Sequence, residues 1–176
     1  MDKEKALRIL NAISNSYVYT LLTLQGAPSI PLSDMKEAYV TFGMDEHTQT
    51  IHLSALYKMY NEDQLLDLFS HAERSLARNL HRESFEAVKK YCESTNQLSV
   101  MRGASWYHFS RVVRNCLSHD WTLKFLPHEM KHLPATYRTA TIDASLQGKP
   151  PPRTINGQLI FALHKDMRQF VVERLQ

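Results

Sequence analysis

Apolar residues recur at three- and four-residue steps along most of this chain, which is the spacing that gives a helix one buried face. Four long stretches carry the pattern: 3–24, 61–92, 100–117 and 156–175. Gly26 and Pro28 end the first stretch, and a bend is expected near Arg82 in the second. Gly103 weakens the start of the third stretch, because glycine is a poor helix former. The chain is therefore predicted to be all-α.

Shorter segments between these helices are less regular. Asp34, followed by Glu37, resembles a capping box and predicts a short second helix. The apolar residues within 53–60 predict another helical stretch. The region from Ala38 to Met44 is ambiguous, because it contains residues with strand propensity.

A long loop is predicted before the last helix. The three consecutive prolines at 150–152 favour extended backbone and exclude a regular helix there. Taken together, about five amphipathic helices with little strand pattern predict one helical bundle that covers 1–176 as a single domain.

Composition adds few constraints. Of the 176 residues, 43% are hydrophobic and 22% are charged, so the chain is expected to fold around a core. The net charge of +3 is compatible with a nucleic-acid partner without requiring one. Cys92 and Cys116 fall in apolar helical patterns and are predicted to be buried thiols. A charged N-terminus and the lack of an apolar run of about 20 residues predict a cytoplasmic protein without membrane contact.

The first candidate motif, HEMKH, places His128 and His132 four residues apart around Glu129. This H-E-x-x-H spacing can bind zinc through the two histidines while the glutamate activates water, and roughly 0.03 matches are expected by chance. However, Pro127 and Pro134 limit any helix here to one or two turns, and no third-ligand motif follows. A zinc hydrolase is therefore a remote alternative, and no metal or cofactor is predicted.

The second candidate motif is RNCLSH, which begins with Arg114 and Asn115 and ends with His119. An arginine followed by a histidine four to six residues later is common in this composition, with about 1.7 chance matches expected. Requiring asparagine directly after the arginine lowers that number to about 0.07, and only Arg114 meets the requirement. The motif also closes a helix with a regular apolar face.

These residues resemble the HEPN superfamily, whose helical bundles carry an R-x(4–6)-H motif in which asparagine often follows the arginine. Only Arg114, Asn115 and His119 match residue by residue, while the long helices and the loop before the last helix resemble the family's layout. The resemblance implies a metal-independent endoribonuclease with its site at a homodimer interface. It further implies a toxin or phage-defence component with a cognate antitoxin protein. The family also contains non-cleaving members, so a module that binds RNA, nucleotide or protein is the alternative function.

The residue types suit the cleavage of RNA by its own 2′-hydroxyl. A histidine can take or give a proton near neutrality, and an arginine can bind phosphate through two N–H groups. Residues five apart on an ideal helix point about 140° apart, so the helix must end near Asn115 or Leu117 if Arg114 and His119 are to converge. Positive side chains at a helix C-terminus also interact favourably with the helix dipole, so a purely structural role stays open.

Overall fold

The computed structural model describes residues 1–26, 39–42, 49–52, 62–118 and 121–176. Its architecture is mainly helical, which confirms the predicted fold class. The helices are α1 (Lys3–Gly26), α2 (Glu62–Ser94), α3 (Leu98–Arg102), α4 (Tyr107–Ser118), α5 (Pro127–Met130) and α6 (Gly157–Arg174). Within the described ranges, two antiparallel strand pairs accompany them: β1 (Tyr39–Phe42) with β2 (Gln49–His52), and β3 (Ala135–Tyr137) with β4 (Ala140–Ile142).

Contacts divide the chain into two compact units. The larger unit contains Met1–Val18 and Ser75–Gln176, and the smaller contains Tyr19–Arg74. The prediction of a single domain over 1–176 stays a prediction. In the part of the chain that the structure describes, no helix is both long enough and apolar enough to cross a membrane.

The smaller unit contains the β1–β2 pair, in which Val40 lies opposite Ile51. The strand propensity noted between Ala38 and Met44 is therefore realised at Tyr39–Phe42. The short helix predicted from Asp34 and the helical stretch predicted within 53–60 lie outside the described residues.

The backbone of α2 remains helical without interruption through Arg82, the position near which the sequence predicts a bend. It ends where Asn96 adopts a left-handed backbone conformation with φ of 56°. The Gln97 N–H then donates to the Cys92 carbonyl at 2.7 Å, which satisfies a carbonyl in the last turn. Asparagine tolerates this conformation better than most residues and is a common helix terminator.

The prediction of one helix over 100–117 is wrong, because α3 ends at Arg102 and α4 begins at Tyr107. Gly103 caps α3, and glycine within a helix costs about 1 kcal/mol relative to alanine. Trp106 lies in this break and packs in the core, where its ring and that of Phe170 form a T-shaped pair with 5.4 Å between centroids. Trp106 is therefore a buried core residue.

The predicted long loop before the last helix contains more structure than expected. It holds α5, the β3–β4 pair and a 3-10 turn at Ala144–Leu146, while 150–152 has no regular structure. In β3 and β4 the outer residues are buried and the middle residue is exposed. Strands of three residues are too short for this alternation to stand out in the sequence.

The last helix, α6, begins at Gly157, one residue after its predicted start, and Asn156 is its capping residue. The Asn156 side chain accepts a hydrogen bond from the Leu159 N–H at 3.0 Å. At the other end, the Lys3 ammonium group donates to the carbonyl oxygens of Val172 and Leu175 at 2.9 and 2.6 Å. The start of α1 is thereby joined to the end of α6 within the larger unit.

The core of the larger unit is apolar and draws on every long helix. Its largest fully buried apolar side chains are Leu10, Leu80, Tyr91, Met101, Phe109, Leu123, Ile142, Ile160, Leu163 and Met167. Complete burial of one such side chain contributes about 1.5–3 kcal/mol. Cys92 and Cys116 are free and buried, as predicted, and burial raises the pKa of each thiol to about 11.

Candidate active site

Arg114 and Asn115 lie near the C-terminal end of α4, and both are half-buried. The core-facing side of this helix is formed by Phe109, Val112, Val113, Cys116 and Leu117. Because these apolar contacts fix the helix, the two polar side chains stand on a rigid element rather than on a loop.

Arg114 forms an ion pair with α2. Its Nη2 donates to Glu86 Oε1 at 2.6 Å, and its Nη1 donates to Asn115 Oδ1 at 3.3 Å. The Arg114 and Glu86 side chains are 37% and 38% exposed, so solvent and small anionic groups can reach the pair. A pair this exposed contributes only about 0–1 kcal/mol to stability, and its main effect is to orient the guanidinium group.

Asn115 extends these hydrogen bonds to α5. Its Nδ2 donates to Glu129 Oε1 at 2.6 Å, while its Oδ1 accepts from Arg114. The side-chain amide is therefore held from both sides. Glu86, Arg114, Asn115 and Glu129 together form a continuous set of hydrogen-bonded side chains, here called the polar row.

Glu129 is the buried end of the polar row, with 3% of its surface exposed. Its Oε2 accepts from the Leu126 N–H at 2.9 Å, and its Oε1 lies 3.3 Å from Arg111 Nε. Burying an unpartnered carboxylate would be costly, and these partners offset that cost. Glu129 therefore serves as an internal acceptor that joins α5 to α4.

A second group of polar side chains adjoins Glu129. We call it the histidine cluster, and it consists of His108, Arg111, His128 and His132. The rings of His108 and His132 stack with 3.8 Å between centroids and 19° between planes. Arg111 Nη2 donates to His128 Nε2. A small cleft runs beside these groups, lined by His108, Arg111, Val112, Glu129 and His132.

Solvation and charge act together on His108. Burial lowers the pKa of this histidine, and the neighbouring His132 and Arg111 lower it further. All three causes disfavour the protonated ring, so an anion beside the cluster would favour protonation.

The zinc hydrolase alternative requires His128 and His132 on one continuous helix. Helix α5 ends at Met130, so His132 lies beyond it. Glu129 is occupied by its hydrogen bonds and ion pair rather than placed to activate water. Among the residues that the structure describes, no group of three His, Cys, Asp or Glu side chains could hold a metal ion.

Comparisons of the chain with protein-family models, curated proteins and solved structures found no match. The resemblance to HEPN domains therefore rests on the motif and on the helical layout. His119 lies outside the described residues, as does Asp120. Helix α4 continues through Asn115 and ends at Ser118, one residue beyond the predicted limit. The structure brings Arg114 and Asn115 together, and the catalytic assignment of all three motif residues stays a prediction.

Neither the ion pair of Glu86 nor the buried acceptor role of Glu129 was predicted from the sequence. A signal for Glu129 was present: it follows Leu126 by three residues, with Pro127 at the first helical position. A glutamate at that position commonly reaches back to the N–H of the capping residue. Nothing in the sequence distinguishes Glu86 from the other glutamates of α2.

Two more histidines of the larger unit are buried and belong to neither group. His81 Nε2 donates to the Ser110 carbonyl at 2.9 Å, and burial lowers the pKa of this ring to about 4. His164 Nδ1 lies 2.7 Å from Ser84 Oγ, and burial likewise lowers its pKa to about 4. Because the Ser84 hydroxyl gives its single hydrogen to the Leu80 carbonyl, His164 is the donor in that pair. Both rings are neutral near pH 7 and pack as part of the core.

Proposed function

We propose that this protein is a metal-independent endoribonuclease of the HEPN type that acts as a homodimer. Arg114, Asn115 and His119 are its proposed catalytic residues. The observation that supports this most is the polar row, which holds Arg114 and Asn115 side by side at the end of α4 with the guanidinium partly exposed.

In the proposed reaction, the 2′-oxygen of RNA attacks the adjacent phosphorus while His119 accepts the hydroxyl proton. Arg114 donates hydrogen bonds to the non-bridging phosphate oxygens and stabilises the charge that develops on them. The bond from phosphorus to the 5′-oxygen then breaks, and that oxygen takes a proton from the protonated His119 of the second chain. The products are a 2′,3′-cyclic phosphate and a 5′-hydroxyl, and DNA is not cut because it lacks the attacking group.

Glu86 and Asn115 have a positioning role in this proposal. The guanidinium group has five N–H donors in one plane, and the two side chains engage two of its nitrogens. The plane is thereby fixed before substrate binds, which lowers the entropy lost when phosphate is bound.

The biological setting follows from the same hypothesis. Free cleavage of RNA would harm the cell that produces the enzyme. We therefore propose that it acts in the cytoplasm as a toxin or phage-defence component, and that a cognate antitoxin protein restrains it.

The test is to incubate the parent, Arg114→Ala and His119→Ala with a mixed RNA pool in excess EDTA and to analyse the fragment ends. The parent should produce 2′,3′-cyclic phosphate ends, and each variant should be at least about 100-fold slower. Arg82→Ala is a matched control, because this exposed arginine of α2 also pairs with a glutamate, at 3.4 Å. The Arg82→Ala variant should cleave RNA at the same rate as the parent.

Two outcomes would overturn the proposal. Binding of RNA by the folded parent without cleavage would favour the non-catalytic binding module instead. Cleavage that EDTA abolishes would exclude a metal-independent reaction.

A further inference from the structure

We propose that the histidine cluster binds an RNA backbone phosphate next to the one that is cut, an inference that rests on the proposed function. One atom joins the cluster to the polar row. Glu129 Oε1 accepts a hydrogen bond from Asn115 at 2.6 Å and lies 3.3 Å from Nε of Arg111. The two groups of side chains are therefore adjacent and share a fixed geometry.

The charges of the cluster favour an anion as its ligand. Arg111 is permanently charged and 35% exposed, and histidines gain positive charge below neutrality. Among the described residues that line the cleft, Glu129 is the one carboxylate, and it is buried and already hydrogen-bonded. Protonation of His108 would therefore add positive charge that a phosphate would balance.

The surroundings of His108 oppose protonation of its ring until an anion binds, because burial and the neighbouring His132 and Arg111 lower its pKa. His128 accepts a hydrogen bond from Arg111 through Nε2. His108 stacks on His132, and Tyr107 meets the edge of the His108 ring. The charged and titratable groups that face these rings are Arg111 and Tyr107 of α4, Glu129 of α5, and the cluster histidines themselves. A phosphate would offset the repulsion among the positive groups, so RNA binding should be accompanied by proton uptake.

The shape of the cleft favours a polymer over a free anion. The cleft is small, and His132, one of the residues that line it, is exposed, so the cleft cannot enclose a ligand. An RNA strand already bound at Arg114 would present its next phosphates at high effective concentration. Weak contacts at an open site then add to the affinity of the whole strand.

The test measures binding separately from cleavage. A fluorescein-labelled single-stranded RNA with 2′-O-methyl groups throughout cannot be cut by 2′-attack, and its affinity is measured by fluorescence anisotropy at pH 6 and pH 8. The parent is compared with the double variant His128→Ala/His132→Ala. The control is His71→Ala, since His71 is an exposed histidine of α2 in the smaller compact unit.

The double variant should bind about tenfold more weakly than the parent at pH 6, with a smaller difference at pH 8. Its plot of log affinity against log salt concentration should be shallower by about 1, as expected when a phosphate contact is lost. His71→Ala should bind like the parent. Because both substituted cluster residues are exposed, equal urea midpoints will show that folding is retained.

Equal affinities of the parent and the double variant at both pH values would overturn the phosphate site. Cleavage of unmodified RNA by the parent would in that case leave the proposed enzyme standing. If inorganic phosphate alone binds the parent as tightly as the modified RNA does in calorimetry, the cluster is a small-anion site and its assignment to RNA is wrong.

Discussion

Histidines occupy two contrasting environments in the larger compact unit. His81 and His164 are 0% and 1% exposed, and each has a hydrogen-bond partner in the core. His128 and His132 are exposed and lie in a cluster with Arg111. Burial holds the first pair neutral, and the second pair is in contact with solvent.

The difference shows that the surroundings of a histidine, rather than its presence in the sequence, decide what it contributes. In the core the neutral ring fills space and donates one hydrogen bond, so its protonation opposes folding. At the surface the ring adds little to stability and can supply charge to a ligand. Stability and RNA affinity should therefore depend on different histidines.

Acidification should produce the largest effect. Burial lowers the pKa of His81 and His164 from the usual 6.5 to about 4 in the folded protein. Their contribution to stability is therefore complete above about pH 6.5 and is lost as the pH falls towards 4. Between pH 7 and pH 5 each should remove about 2 kcal/mol from the free energy of unfolding. Urea unfolding at several pH values measures this loss.

A variant with both buried histidines replaced by glutamine provides the control for acidification. Its stability should vary less with pH than that of the parent over the same range. An unchanged pH dependence would assign the acid sensitivity to other groups.

Substitution of single histidines should separate the two environments at constant pH. His81→Ala and His164→Ala should each lower the free energy of unfolding by about 2–4 kcal/mol, through lost packing and a lost hydrogen bond. His132→Ala should change it by less than about 0.5 kcal/mol, because the residue is exposed. Chemical denaturation at pH 7.5 compares the three. A surface variant as unstable as the buried ones would remove the distinction.

Near the histidine cluster, the buried Glu129 should contribute most to the free energy of unfolding. Glu129→Gln keeps the size of the side chain but removes the ion pair with Arg111 and weakens the bonds from Asn115 and the Leu126 N–H. A loss of about 1–3 kcal/mol in unfolding free energy is expected. Glu83→Gln is the matched control, since that exposed glutamate also pairs with an arginine. Similar urea midpoints for the two variants would contradict the structural role of Glu129.

The long helices could be predicted from the sequence because each keeps one apolar face for several turns. The bounds of α6 lie within one residue of those that this pattern predicts. The break between α3 and α4 could not be predicted in this way, because Trp106 fits a continuous apolar stripe and its contact with Phe170 is tertiary. The β3–β4 pair was missed because three residues carry too little periodicity.

In the candidate site, too, contacts between residues near in sequence could be predicted, and contacts between distant residues could not. The pairing of Arg114 with Asn115 could be proposed from the motif, because the two residues are adjacent in the chain. Their acceptors, Glu86 and Glu129, lie 28 and 14 residues away, at distances that no local pattern specifies. The stacking of His108 on His132 is equally non-local.

The single oxygen of Glu129 that serves both Asn115 and Arg111 has a thermodynamic consequence. A shift of either donor changes the acceptor available to the other, so the two positions are not independent. If binding of a phosphate at the polar row changes the affinity of the histidine cluster by some factor, binding at the cluster must change the affinity of the polar row by the same factor. An RNA strand bound at both the polar row and the histidine cluster would then have its two neighbouring phosphates coupled in binding. The buried Glu129 carboxylate would transmit that coupling.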